Sequence, residues 1–174
     1  MELLRLFDEN YQFVEVKSRE FAHSKSCKLY HEVVHIILIN NKNQVLLQKR
    51  SATKKEHPNL WDLSVTGHVS SSDNLYSACV RETFEEIGLN FKQADFEKLK
   101  TIRDDLGKEF INIFLCKKQV DENTKFVFSD NEVSEVKFFS KTELHEMLYS
   151  AEYSPYFSKY KKVLTEIFDI YNNK

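Results

Sequence analysis

Glycine, proline and cysteine are scarce in this chain: 174 residues include three glycines, two prolines, three cysteines and one tryptophan. With only Gly67, Gly88 and Gly107, neither a P-loop nor a dinucleotide-binding glycine fingerprint can be assembled. Cys27, Cys79 and Cys116 are odd in number and far apart, which suits reduced thiols in a cytoplasmic protein rather than a disulfide framework. No stretch approaches the ~20 apolar residues of a membrane span. The N-terminus has no basic region leading into an apolar run, so no secretory leader is expected. The formal net charge of −2 gives membranes and nucleic acids little to attract them. An enzyme of RNA ends would want a basic channel with aromatic platforms, and this charge disfavours one.

What remains is a charged, aromatic-bearing chain long enough for one domain with a real core. Residues 3–17 alternate around Asp8-Glu9-Asn10 and predict a hairpin, with Leu4, Leu6, Phe13 and Val16 buried. Residues 19–28 are polar and predict a loop. Residues 30–39 and 45–48 are apolar and β-rich around Asn40-Asn41-Lys42-Asn43, predicting a second hairpin. A basic loop, 51–59, closes at Pro58, and a short strand at 60–65 leads to Gly67. Residues 96–103 and 109–117 should pair, and 136–139 should form a further strand. Ser140 with Glu143 makes a capping box for one helix. A last helix at about 158–172 would carry Val163, Leu164, Ile167 and Phe168 on one face. Strands with one central and two closing helices suit an α/β fold, a mixed sheet between helices.

The densest chemistry lies between Gly67 and Leu89. Ser70 to Asp73 predicts a helix start, where short polar side chains accept bonds from free N–H groups. Gly88 predicts the stop, since glycine takes the left-handed conformation without penalty. At about 100° per residue, Tyr76, Val80, Phe84 and Ile87 share one face, expected to be the apolar one. Glu82, Glu85 and Glu86 fall roughly opposite. Three carboxylates in the last turns oppose the helix dipole by roughly 0.3–1 kcal/mol each when exposed. They also repel one another at i,i+3 and i,i+4 by a few tenths of a kcal/mol. A solvated acidic face or a divalent-cation site would both produce this run. A hard ion such as Mg²⁺ or Mn²⁺ would reverse the sign of every one of these terms.

Gly67, Arg81-Glu82, Glu85-Glu86 and Gly88-Leu89 resemble the Nudix box, G-x5-E-x7-R-E-U-x-E-E-x-G-U, where U is a bulky aliphatic residue. A chance match of the fixed positions is on the order of one in 10⁵. Two positions depart: Asp73 stands in place of the first Glu, and Thr83 in place of an aliphatic residue. The resemblance implies an α/β/α sandwich over about residues 30–150, within a single domain of 1–174. It implies a diphosphate hydrolase in which Glu82, Glu85 and Glu86 hold Mg²⁺ or Mn²⁺ and Arg81 orients them. His31-x-x-x-His35, Leu46 to Ser51, His57-Pro58, Trp61-Asp62 and Gly67-His68 further resemble the branch of the family related to isopentenyl-diphosphate isomerase. By that resemblance His68 and His35 occupy metal-binding positions, whereas His31 and His57 are expected to be structural. The isomerases place a Cys before the Gly-His pair, where this chain has Thr66, and lack its full row of carboxylates. The retained residues therefore favour hydrolysis over isomerisation, and argue against a nucleotide-sensing module without catalysis.

Outside the box, Arg50 and Lys54 are candidate clamps for a diphosphate. Glu109 and Glu132 are candidate bases or substrate contacts, with solvated surface charge as the competing reading of all four. Gly67 is expected at the substrate. The expected partner is a small-molecule diphosphate, not a membrane or nucleic acid, and a homodimer is left open. Asp73 is expected to cap its helix.

Overall fold

The computed structural model describes residues 1–129, 131–147 and 164. The closing helix expected at 158–172 lies outside them except for Leu164, which is helical and buried. A six-stranded mixed sheet dominates the fold. Along its main path the order runs β2 (Phe13–Ser18), β1 (Leu3–Phe7), β3 (Tyr30–Ile37), β8 (Glu109–Cys116), β7 (Phe96–Asp104), and β6 (Val65–His68) pairs with β3. A three-stranded antiparallel sheet is ordered β5 (Trp61–Leu63), β4 (Val45–Arg50), β9 (Val133–Phe139).

Every residue of β3 is buried, the polar His31, Glu32 and His35 included, as in a strand covered on both faces. Its alternate residues feed two cores. Val34 and Ile36 pack with Ala78, Cys79 and Ile87 of α2 (Leu75–Ile87) on one side. Val33 and Ile37 pack on the other with Leu144 of α3 (Lys141–Met147) and with Leu164. This is the expected α/β/α sandwich.

Several local expectations need correction. β3 and β4 keep the expected hairpin only at its turn, where Asn40 N–H donates to the Gln44 carbonyl, Ile39 bridges Val45 and Leu46 N–H donates to the Leu38 carbonyl; beyond it they diverge into different sheets. The predicted strand before Gly67 is likewise two strands, and the switch is at Ser64. Its buried hydroxyl accepts from Leu38 N–H (2.9 Å) and donates to the Leu46 carbonyl (2.5 Å), satisfying two backbone groups left over where the sheets part. Residues 19–22 form a short helix, α1 (Arg19–Ala22), because the Ser18 hydroxyl accepts from Phe21 N–H. Phe13 and Val16 are exposed rather than buried, since β2 lies at the sheet edge. The Ser140–Glu143 capping box is present as expected.

Candidate active site

α2 starts one residue later than the sequence suggested. Asn74 is its N-cap, accepting from Tyr76 and Ser77 N–H at 2.9 Å each, and Ser77 Oγ closes the box by accepting from Asn74 N–H. Gly88 ends it at φ 75°. The buried face carries Ala78, Cys79, Glu82, Thr83, Glu86 and Ile87, while Phe84 and Tyr76 are partly exposed. The helix is thus rotated from the expected apolar face, and two carboxylates point into protein. Thr83 is buried where the box expects an aliphatic residue, and it donates its hydroxyl to the Cys79 carbonyl at 2.6 Å.

Arg81 organises those carboxylates. Its guanidinium donates to Asp73 Oδ2 (2.9 Å), Glu82 Oε1 (2.7 Å), Glu85 Oε2 (2.9 Å) and the His68 carbonyl (2.8 Å). Burial alone would weaken its charge, but Glu82 and the bonds donated to the three carboxylates hold it above its ordinary pKa. Glu82 lies directly over Gly67, where a Cβ would fall 1.9 Å from its Cδ. Burial pushes the Glu82 carboxyl up to about 7 despite the pull of Arg81. Glu86 is buried and accepts from Thr66 N–H (3.0 Å) and Gln48 Nε2 (2.9 Å). Thr66 is therefore tied to the carboxylate row through its backbone.

Asp73 is not the cap. Its carboxylate accepts from Arg81 and from Ser77 Oγ (3.0 Å), anchoring the arginine from the far end of the helix. We therefore expect Asn74→Ala to cost about 1 kcal/mol of stability with turnover retained. Asp73→Asn should instead lower turnover roughly tenfold, ~1.4 kcal/mol in the barrier. Thermal melts and steady-state rates on both variants separate the roles; equal turnover in the two would contradict this division.

Part of this set opens on a cleft of about 670 Å³; Glu86 and Asp73 are not among its lining residues. Glu82, Glu85, Gly67 and Arg81 line one wall, and Arg19, Arg50, Lys54 and Lys55 supply positive charge. Arg50 lies 3.5 Å from Asp62 and donates to the Glu56 carbonyl, and Lys54 contacts Glu132 at 2.5 Å. The proposed clamps and Glu132 thus share the cleft with Glu109, though each cation already has an acidic or carbonyl partner.

A second donor cluster lies in the same cleft. His23, just past α1, meets His31 at the head of β3 and His68 at the end of β6, with potential ligand atoms all within 4.8 Å of one another. His23 and His68 Nε2 are 2.9 Å apart, and the His31 and His68 rings stack at 5.2 Å. His31 is fully buried, yet neither ring nitrogen has a hydrogen-bond partner among the described residues. Glu109 Oε1 approaches His31 Nε2 at 3.6 Å, too far for a hydrogen bond. Burial, then His31 and nearby cations, keep His68 well below its ordinary pKa; burial and His31 also lower His23. Three imidazoles with ring nitrogens this close together could hold a cation. His68 thus sits with His23 and with His31, which was expected to be structural or surface. His35 lines the cleft outside the trio. His23 was missed because it lies in a segment read as loop, with no periodicity to mark it.

Comparison with known proteins agrees. The NUDIX domain family matches residues 29–160. A Nudix hydrolase of Listeria innocua is 31% identical over 142 residues, 82% of this chain and 79% of that protein. A prenyl-diphosphate phosphatase of Methanosarcina mazei is 29% identical, covering 92% of each chain. An isopentenyl-diphosphate Delta-isomerase of Streptomyces griseus is 26% identical, over 89% of this chain and 79% of its own. Among solved structures, a Deinococcus radiodurans protein superposes with a TM-score of 0.77 at 21% identity, covering 95% of this chain and 99% of that one. With a matching domain, an intact carboxylate row and a sandwich to hold it, the chain belongs to the NUDIX domain family as an enzyme of the Nudix hydrolase class.

Proposed function

We propose that the cleft hydrolyses the diphosphate linkage of a small organic diphosphate, such as a prenyl diphosphate or a nucleoside diphosphate derivative. The observation that carries this reading is the Arg81-bound row of Glu82 and Glu85 above Gly67, facing a wall of Arg19, Arg50 and Lys54. Glu82, Glu85 and Glu86 would hold Mg²⁺ or Mn²⁺, and His23, His31 and His68 with Glu109 would take a further cation. A bound divalent ion supplies neutralisation of developing charge and a more acidic water.

The chain's own part is placement. Arg81 fixes two of the carboxylates before substrate arrives, so that little reorganisation is needed in the transition state. Arg50 and Lys54 exchange their present partners for phosphate oxygens, and a cleft carboxylate receives the proton of the attacking water. Polar and charged side chains dominate the described lining, so the cleft grips the diphosphate more than the organic group. The relative from Methanosarcina mazei is what puts prenyl diphosphates beside nucleotides in this reading. The same reading makes the enzyme cytoplasmic, in keeping with three unpaired, buried cysteines. No helix among the described residues is long and apolar enough to cross a membrane.

The test is a panel of isoprenoid diphosphates, nucleotide sugars and nucleoside di- and triphosphates with Mg²⁺ or Mn²⁺, followed by phosphate release and chromatography. Hydrolysis of at least one class is expected, without interconversion of isopentenyl and dimethylallyl diphosphates, because Thr66 offers no thiol. Isomerisation without hydrolysis would overturn the proposal.

A further inference from the structure

The edge of the large sheet is only partly protected. β2 is the terminal strand on its side of the sheet, and among the described residues no strand pairs with its outer side. Phe13, Val14 and Val16 are 59%, 48% and 41% exposed. Isolated edges are ordinarily blunted by charged side chains, proline, a bulge or shortness. This one has six residues, an irregularity at Val14 and three exposed apolar side chains, and its two charges, Glu15 and Lys17, are of opposite sign, flank Val16 and contact each other at 3.1 Å within the chain.

From this pattern we infer that β2 is a self-association edge, through which two copies pair antiparallel about a twofold axis at Val16. Alternate residues of a strand turn their backbone groups to the same side, so the axis of such a pair must pass through a residue. An axis at Glu15 would oppose two carboxylates, and one at Lys17 would oppose two ammonium groups. At Val16, Glu15 faces the partner's Lys17 and Lys17 faces the partner's Glu15. Both cross-strand pairs are favourable, and the register is self-complementary as a twofold interface requires. Pairing also covers Val16 and satisfies the outward N–H and C=O groups between Ser18 and the irregularity at Val14. A foreign peptide would meet the same edge without that matched pair of charges. Since Ser18 caps α1, the joined strands brace the segment that supplies Arg19 and His23 to the cleft.

The test uses the full chain in sedimentation velocity from about 1 to about 100 µM, the range where modest interfaces dissociate. Wild type is expected to dimerise. Glu15→Lys and Lys17→Glu are each expected to weaken the dimer at least tenfold, because each makes the edge repel its own copy. Mixing the two single variants should restore a dimer, as should the double exchange E15K/K17E. Circular dichroism is expected to be unchanged for these exposed substitutions, so loss of association is not loss of fold. A wild type that stays monomeric, or a dimer indifferent to both reversals, overturns the inference. Hydrolysis by the monomeric variants is a separate measurement, and its outcome bears on the proposed activity alone.

Discussion

Gly67→Ala should reduce turnover by at least ~10²-fold, a loss of ~2.7 kcal/mol from the barrier. A methyl group there would lie 1.9, 2.2 and 2.4 Å from the Cδ and both carboxylate oxygens of Glu82. Something must move. β6 is held by its register with β3, from Val33–His68 to Ile36–Val65, so the side chain yields before the strand does. Glu82 shares one Arg81 nitrogen with Glu85, and displacing one carboxylate therefore disturbs both. The stability cost should fall within the roughly 1–3 kcal/mol typical of overpacking. A Gly67→Ala protein with wild-type turnover would show that Glu82 need not stay where it is for catalysis.

Glu85→Gln should cost a comparable ~10²-fold in turnover while leaving the melting temperature nearly unchanged. Its side chain is 45% exposed and its loss removes one Arg81 contact. Glu86→Gln should lose as much activity and also stability. Its carboxylate accepts from two donors, Thr66 N–H and Gln48 Nε2. Both bonds fall on Oε2, so an amide keeps them through its oxygen, and the cost is that of a buried NH₂ in the place of Oε1, about 1–3 kcal/mol where it meets no acceptor. Chelation should silence the wild type, with activity returning on adding Mg²⁺ or Mn²⁺. Unaltered turnover in chelator would refute the assignment of Glu82, Glu85 and Glu86 to a divalent ion.

The chemical core was legible in the sequence because a helix repeats with a fixed period and a short motif fills it. Gly88 as the stop, the carboxylate row and Arg81 as its organiser needed no tertiary information. Which way the helix faces did. Phe84 and Tyr76 follow the apolar pattern yet are partly exposed, because the buried face carries Glu82 and Glu86 toward the site instead. Asp73 and Asn74 are adjacent and chemically alike, and only geometry shows that one caps the helix while the other holds Arg81. The histidine trio was illegible for another reason. His23, His31 and His68 come from three separate elements and meet through sheet pairing, so no spacing along the chain announces them. The early divergence of β3 and β4 beyond their turn has the same origin: local alternation signals a strand but not its neighbour.

The parallel pairing of β3 with β8 also bears on how the site is made. It sets His31 beside Glu109, and Asn112, 79 positions from Val33 along the chain, donates to the Val33 carbonyl. Closing so long a loop carries an entropic cost that precedes any reward from contact, and non-local pairing of this kind slows folding. The Gly67–Glu86 unit closes over a much shorter span. The acidic half of the cleft is therefore a local structure, available early to the nascent chain. The histidine half, with Glu109 beside it, depends on the longer-range pairing of β3 with β8.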